Sequence, residues 1–317
     1  MTIIIACLAV AFTQPRTPEP VSDTKFLMDT LVELRIFGSK RILEAAFKEL
    51  QHLDETMSRT FEDSEIYKIN QQAGRNWVSV SADTFHVIQA ALNWAELTHG
   101  LFDPTVAPLV ELWGIGTGRA HVPEPAALKA AQGMIDYRAV ELDTKGKRVR
   151  LANSGMGLDL GSIAKGYAAD IIAELLRSKG VRSGFLSLGG NIYVIGGKPD
   201  GSPWRIGIQN PFAERGIHTA VLEVKDTSIV TSGPYERYFL VDDKRYHHIL
   251  DPTTGFPVDN GLASVTIVTP CSMTADALST GVFLLGLEKG LAFLEGLDGV
   301  EGMLITDDRQ VYITSGL

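Results

Sequence analysis

The apolar positions of this chain change period several times. Residues 26–37 alternate, with Val32, Leu34 and Ile36 on one face and Glu33 and Arg35 on the other, which predicts a half-buried strand opened by Met28-Asp29-Thr30. Ser39 stands where it would cap a helix in which Ile42, Leu43, Ala46, Phe47, Leu50 and Leu53 recur at helical spacing. The polar stretch 54–70 reads as irregular chain that becomes a short helix from Ser64, and as a candidate pocket wall. A second helix over 83–99 turns Val87, Ile88, Ala91, Leu92 and Ala95 inward, and Gly100 ends it. Residues 100–114, with two prolines in an apolar setting, read as a rigid, buried loop. A short helix over 123–132 and a hairpin of 138–143 with 148–152 follow.

Residues 156–170 begin as a short apolar strand and turn through Gly161 and Ser162. They then enter a helix that runs to about Lys179, with Gly180 placed to stop it. Further strands are expected at 184–196, split by Gly189-Gly190, and at 204–209, 218–224 and 229–233. A hairpin of 238–241 with 245–250 delivers residues 246–257 to a loop. A strand at 264–269, helices at 273–286 and 288–297, and strands at 303–306 and 311–314 complete the chain. Strands and helices mix without regular alternation, and no linker divides residues 25–317. The expectation is one α+β domain with mixed or antiparallel sheets and packed helices.

Composition narrows the function classes. A net charge of -9 over 317 residues argues against a general nucleic-acid binder. Cys7 and Cys271 are too few for a disulfide scaffold or a thiolate metal site, and Cys271 reads as a structural thiol. Residues 1–24 stand apart. An apolar run over 3–12 and a proline-rich linker look like an export signal, and Ile4-Ile5-Ala6-Cys7 resembles a lipoprotein cleavage box that would lipidate Cys7. The run is too short to span a bilayer, and no basic residue precedes it, so an apolar terminus of a cytosolic protein stays open as the alternative.

Candidate chemistry gathers at a few places. The turn at Gly161-Ser162 leaves backbone N–H groups free at a helix start, which attracts anions. Lys165 lies in the first turn, where the helix dipole disfavours a cation unless an anion is near. Asp159, just before the turn, is suited to accept from an adenine amine, a ribose hydroxyl or a flavin N–H. An ordinary strand–turn–helix with a surface lysine is the alternative, and neither a Walker loop nor a dinucleotide fingerprint is present. Phe102 and Asp103 suit a planar ligand and its polar edge, or a core ring and a turn-forming Asp-Pro. Asp276 and Thr280 share one helical face, with Ser279 beside them, and together would offer hard oxygens to Mg²⁺; the alternative is helix capping by Thr274 and Asp276. His247 and His248 are adjacent in a strand, so only one can face a site.

Several segments, in order, resemble the ApbE family, the FAD:protein FMN transferases. They are Asp54 with Met57-Ser58, Ser64-Glu65 and Asn70; Gly100-Leu-Phe-Asp-Pro-Thr105; Asp159-Leu-Gly-Ser-Ile-Ala-Lys-Gly166; Ser187-Leu-Gly-Gly-Asn191; Thr231-Ser-Gly233; His248-Ile-Leu-Asp-Pro252; and Ala275-Asp-Ala-Leu-Ser-Thr280. The resemblance implies an ApbE-like, T-fold-like architecture. It implies an exported bacterial enzyme at the periplasmic face of the inner membrane that uses Mg²⁺ and takes FAD as substrate. FMN would pass to a threonine or serine hydroxyl of a target protein, with AMP released. The targets it implies are flavin-carrying subunits of sodium-pumping NADH:quinone reductase or Rnf-type redox complexes. On the family pattern Met28, Leu101, Phe102, Asp103, Asp159, Lys165 and Leu250 lie at the flavin nucleotide. Ser162 through its backbone, Asp276, Ser279 and Thr280 lie at the metal. Three departures stand out: Asp29 where glycine is frequent, Thr60 where many transferases carry tyrosine, and Ser279 where many carry an acid. His248 is the expected base for the acceptor hydroxyl, with Lys165 as electrostatic support. Two rival readings share the site: an FAD pyrophosphatase giving FMN and AMP, and a non-catalytic FAD-binding envelope lipoprotein.

Overall fold

The computed structural model describes residues 19–317. Cys7 and the export-type run lie outside the described residues. The chain opens with β1 (Val21–Leu27) and β2 (Thr30–Ile36), an antiparallel hairpin where the alternation suggested one strand over 26–37. Its two-residue turn is Met28-Asp29, with φ 52° and 57°. A twisted hairpin favours a turn with both central residues at positive φ, a conformation that glycine adopts freely and aspartate tolerates. Asp29, where the family pattern often has glycine, thus occupies a turn position that glycine also suits. The alternation missed the reversal because it does not reveal where a strand folds back.

Helix α1 (Lys40–Met57) buries Leu43, Ala46, Phe47, Leu50 and Leu53, four apart and three apart as expected. Helix α2 (Glu65–Gln71) starts at Ser64, whose hydroxyl accepts the Tyr67 N–H. After β3 (Val78–Ser79), α3 (Ala82–Leu97) is capped by Ser81 and ends through His99 and Gly100, both at positive φ. The expected loop at 100–114 holds a helix, α4 (Ala107–Trp113). The two prolines suggested a rigid loop, but Pro108 falls in the first turn of this helix, where its missing N–H costs nothing. Helix α5 (Pro125–Gln132) precedes β4 (Val140–Asp143) and β5 (Arg148–Leu151), which join β3 in a three-stranded sheet.

Residues 156–160 make no strand; Gly157 forms one isolated bridge with Val106. Helix α6 (Ala164–Ser178) follows, with Gly180 at φ 85° beyond its end. β6 (Gly184–Leu188) and β7 (Asn191–Ile195) pair across Gly189-Gly190, which form the hairpin turn. A Cβ on Gly189 would lie 2.2 Å from the Thr30 hydroxyl, so glycine is required there. β8 (Trp204–Gln209) and β9 (His218–Val224) form a separate pair; β10 (Thr227–Ser232) returns to the main sheet. β11 (Tyr238–Val241) and β12 (Lys244–His247) make the expected hairpin. β13 (Leu262–Thr269), α7 (Ser272–Leu285), α8 (Leu287–Glu295), β14 (Glu301–Thr306) and β15 (Val311–Ile313) end the chain.

The main sheet has eight strands in the order β1-β2-β6-β7-β10-β13-β14-β15, every neighbour antiparallel. One core joins β2 and β6 to α1 and α6, and a second joins β13 and β14 to α7 and α8. On the other face Trp204, Ile206 and Ile208 of β8 pack on Val194, Ile229 and Ile305. β13 is buried almost throughout, as expected of a strand covered on both faces. The architecture is α+β, as the mixed periodicity implied.

Candidate active site

The centre of the site is the crossing of α6 and α7. Gly166 is the third residue of α6, and its N–H donates to Asp276 Oδ2 at 2.9 Å. Such an N–H has no partner inside its own helix, so the carboxylate acts as a cap supplied by the neighbouring helix. The arrangement is reciprocal: Asp170 of α6 accepts the Ser272 and Met273 N–H groups at the start of α7, both at 2.8 Å. Burial pushes the Asp170 carboxyl above its ordinary value, and these two donors oppose that shift. The helices approach closely because residue 166 is glycine. A Cβ there would sit 2.3 Å from Ser272 O and 2.7 Å from both Asp276 Cβ and Met273 Cα.

Lys165 lies beside this contact. Its Nζ donates to Gly161 O at 2.7 Å and stands 3.4 Å from Asp276 Oδ1. Asp276 is 3 % exposed. Ser279 is fully buried; its hydroxyl meets Ser232 Oγ at 2.8 Å and donates to Asp276 O at 2.9 Å. Thr280, one turn beyond Asp276, is half-buried, as is Ser162 before α6. The sequence alternative that Thr274 and Asp276 cap their own helix is not what is found: Cys271 holds the cap position without a side-chain capping bond, and Asp170 serves instead.

The segment before α6 is held by side chains from elsewhere. Asn70 donates to Leu158 O at 2.9 Å and accepts the Leu158 N–H at 2.7 Å, as a neighbouring strand would. Asp159 N–H donates to Pro104 O at 2.8 Å, which brings the 100–105 turn against this segment. Asp159 Oδ1 accepts the Gly161 N–H at 2.8 Å, and Oδ2 pairs with Arg59 Nε at 2.9 Å. Arg59 also reaches the exposed Glu111 at 3.2 Å. Thr60 and Ser58 bond to each other through their hydroxyls, on the same loop.

In the 100–105 turn, Phe102 is 2 % exposed and part of the core. Asp103 Oδ1 accepts from the Thr105 N–H and hydroxyl, and Oδ2 from the Tyr137 N–H. Burial raises the Asp103 carboxyl above its ordinary value, with the Thr105 bonds as the main opposition. Leu101 is half-buried against the α7 core. A Cβ on Gly281 would lie 3.8 Å from Phe102 Cβ, so this turn abuts α7 next to Thr280. Across the site Met28 N–H donates to Asp54 Oδ2 at 2.9 Å, and burial raises that carboxyl too.

The last wall is the end of β12. Arg237 donates to Asp29 O at 3.1 Å, tying this corner to the Met28 turn. His248 N–H donates to Arg237 O at 3.1 Å, and its Nδ1 lies 3.3 Å from the same oxygen. A proton on Nδ1 would leave Nε2 as an acceptor. The residue keeps partial solvent contact, yet burial, and then the Arg237 charge, pull its imidazolium down to about 3; Lys165 adds to the shift. His247 points the other way, buried, with Nε2 2.9 Å from Val258 O. Leu250 is buried beside Trp113, bridged to Pro257.

The donors around Asp276 suit a hard cation. Asp276 Oδ1 has, among the described residues, the loose lysine contact alone, and Thr280 follows one turn along the same helix; a carboxylate and a hydroxyl are the donor types that suit Mg²⁺ completed by water and phosphate. Among the described residues no three His, Cys, Asp or Glu side chains form a metal cluster. Reading the sequence passed over Arg59 and assigned no role to Asp170. Arg59 carries no spacing signal; Asp170 is four residues after Gly166, on one helix face with it, which was the available sign.

Comparison with known proteins adds three findings. Residues 28–304 match the model of the ApbE family. A Treponema pallidum protein described as an FAD:protein FMN transferase is 39% identical over 315 residues, covering 93% of this chain and 87% of that one. Two solved structures superpose closely. The ApbE protein of Thermotoga maritima gives a TM-score of 0.87 at 34% identity, over 94% of this chain and 98% of that one. The flavin transferase ApbE of Vibrio cholerae gives 0.84 at 33%, over 94% and 97%.

Proposed function

This chain belongs to the ApbE family, and from that premise we propose that it transfers FMN from FAD to a hydroxyl of an acceptor protein. The acceptor oxygen bonds to the FMN phosphorus, the pyrophosphate P–O bond breaks, and its electron pair leaves with AMP. The observation that carries this reading is the meeting of the Lys165 ammonium, the Gly166 N–H and the Asp276 carboxylate at the start of α6. Lys165 and the positive end of the α6 dipole stabilise charge on the phosphates, although the Gly161, Ile163, Ala164 and Gly166 N–H groups are already bonded within the protein. Asp276, Thr280 and the Ser162 backbone would hold Mg²⁺, which when bound neutralises the pyrophosphate and stabilises the departing AMP. In this reading Met28, Leu101–Asp103, Asp159 and Leu250 line the nucleotide, Phe102 and Asp103 through backbone and packing.

His248 takes the acceptor proton on Nε2, with Nδ1 held at Arg237 O. Burial and the Arg237 charge hold that imidazole well below its ordinary value, and an anionic pyrophosphate close by would oppose the Arg237 and Lys165 charges and raise it. The acceptor residue is a threonine or serine of a flavin-carrying subunit, with sodium-pumping or Rnf-type redox complexes as the first candidates. Export to the periplasmic face, with Cys7 as a lipid anchor, is part of the same proposal, and the apolar run and cleavage-like box in the sequence support it.

The test mixes purified protein, FAD and Mg²⁺ with and without an acceptor domain, and follows AMP release and in-gel flavin fluorescence. AMP together with a fluorescent acceptor band supports the transferase. AMP with free FMN and no band on any acceptor points to a pyrophosphatase. Bound FAD without AMP overturns both.

A further inference from the structure

A buried carboxylate is costly to keep ionised without a countercharge. Asp276 is 3 % exposed, and one of its oxygens takes the Gly166 N–H. The cation within salt-bridge range of the other oxygen is Lys165, with Nζ at 3.4 Å. That ammonium is steered there by a second contact, its hydrogen bond to Gly161 O at 2.7 Å. The lysine therefore stands on the oxygen that a divalent ion would need, and two cations at one carboxylate oxygen repel.

We propose that Lys165 is the stand-in cation for the metal at Asp276. It neutralises the carboxylate while the site is metal-free and is displaced when the ion arrives. The released ammonium is then free for the pyrophosphate, so one side chain couples metal binding positively to nucleotide binding. The proposal rests on the transferase reading and on Asp276 as a metal ligand. It differs in sign from the plainer roles. A lysine that only binds phosphate leaves metal affinity unchanged when removed, and one that organises Asp276 for the metal weakens it. A stand-in competes, so its removal strengthens metal binding.

The experiment titrates nucleotide-free protein with Mn²⁺ by electron paramagnetic resonance, with Mg²⁺ as competitor. It compares wild type, Lys165→Met, Lys165→Gln and Asp276→Asn. Lys165→Gln keeps a donor for Gly161 O without the charge, which guards against a folding defect in Lys165→Met. Both lysine variants should bind Mn²⁺ on the order of five- to tenfold more tightly than wild type. Lys165→Met should also melt lower than wild type without metal and gain more on its addition. If Asp276→Asn abolishes binding while the lysine variants bind equally or more weakly, the stand-in role is overturned and the metal site stands. If Asp276→Asn binds as wild type does, the metal assignment itself fails, and the stand-in role with it.

Discussion

The α6–α7 crossing and the corner at His248 are built in opposite ways. At the crossing and in the segment leading into it, carboxylates and an amide are matched to backbone groups: Asp276 to the Gly166 N–H, Asp170 to two N–H groups of α7, and Asn70 to the N–H and C=O of Leu158. At the corner, His248 and the Met28-Asp29 turn are joined through backbone oxygens and one arginine, and Tyr238 and Leu240 nearby are exposed. The first arrangement fixes geometry before any ligand arrives, as phosphate and metal positions require. The second leaves an open rim, as suits a site that must admit a side chain from another protein.

Substitutions separate the two regions. The largest effect is expected from His248→Ala, which should lower FMN transfer by about 10²–10⁴-fold while leaving thermal stability close to wild type. Transfer at the wild-type rate would remove His248 from the chemistry. Gly166→Ala should act on both properties at once, because its Cβ meets main-chain atoms of α7. A loss of about 2–3 kcal/mol in urea unfolding is expected, together with loss of transfer. Unchanged stability would show that the crossing is looser than its distances imply. Asn70→Ala removes both backbone hydrogen bonds of the buried Leu158 and should cost about 1–3 kcal/mol, with weaker FAD binding measured by fluorescence.

The smallest effect is in the pH dependence of stability. Burial lowers both His247 and His248 in the folded protein, so between their ordinary value of 6.5 and their folded values the unfolded chain binds more protons. Their contribution is present above about pH 6.5 and is lost as the pH falls toward the folded values. The raised carboxyls Asp54, Asp103 and Asp170 act in the opposite direction, gaining relative stability as the pH falls. Comparing His248→Gln with wild type isolates one imidazole. Wild type should lose about 1 kcal/mol more than the variant between pH 7 and 5 by chemical denaturation. Equal slopes would mean that His248 titrates near its ordinary value.

The legible parts of the molecule were those governed by local pattern. The apolar stripe of α1, the stop at Gly180, the β11–β12 hairpin and the α+β class all follow from spacing and turn chemistry. Where pattern failed, a local signal was ambiguous. The alternation over 26–37 is the same for one strand or a tight hairpin, and Pro108 suggests a rigid loop unless the start of α4 is known. The segment 156–160 has the composition of a strand, yet the Leu158 backbone bonds to the Asn70 side chain and the Asp159 N–H to Pro104 O instead of to a strand.

The sequence by itself determined the inventory: motifs in a family's order, and a lysine and an aspartate far apart in the chain, each of a type suited to phosphate and metal. Only the tertiary structure decided which groups are free. Phe102 is spent on the core, Asp103 on its own turn, Asp159 on Arg59, and Ser279 on Ser232. It also decided that Lys165 faces Asp276, a contact spanning 111 residues of chain. The physical reason is that spacing reports a residue's type and its near neighbours. Burial, countercharge and the closeness that Gly166 permits are set by packing between elements distant in sequence.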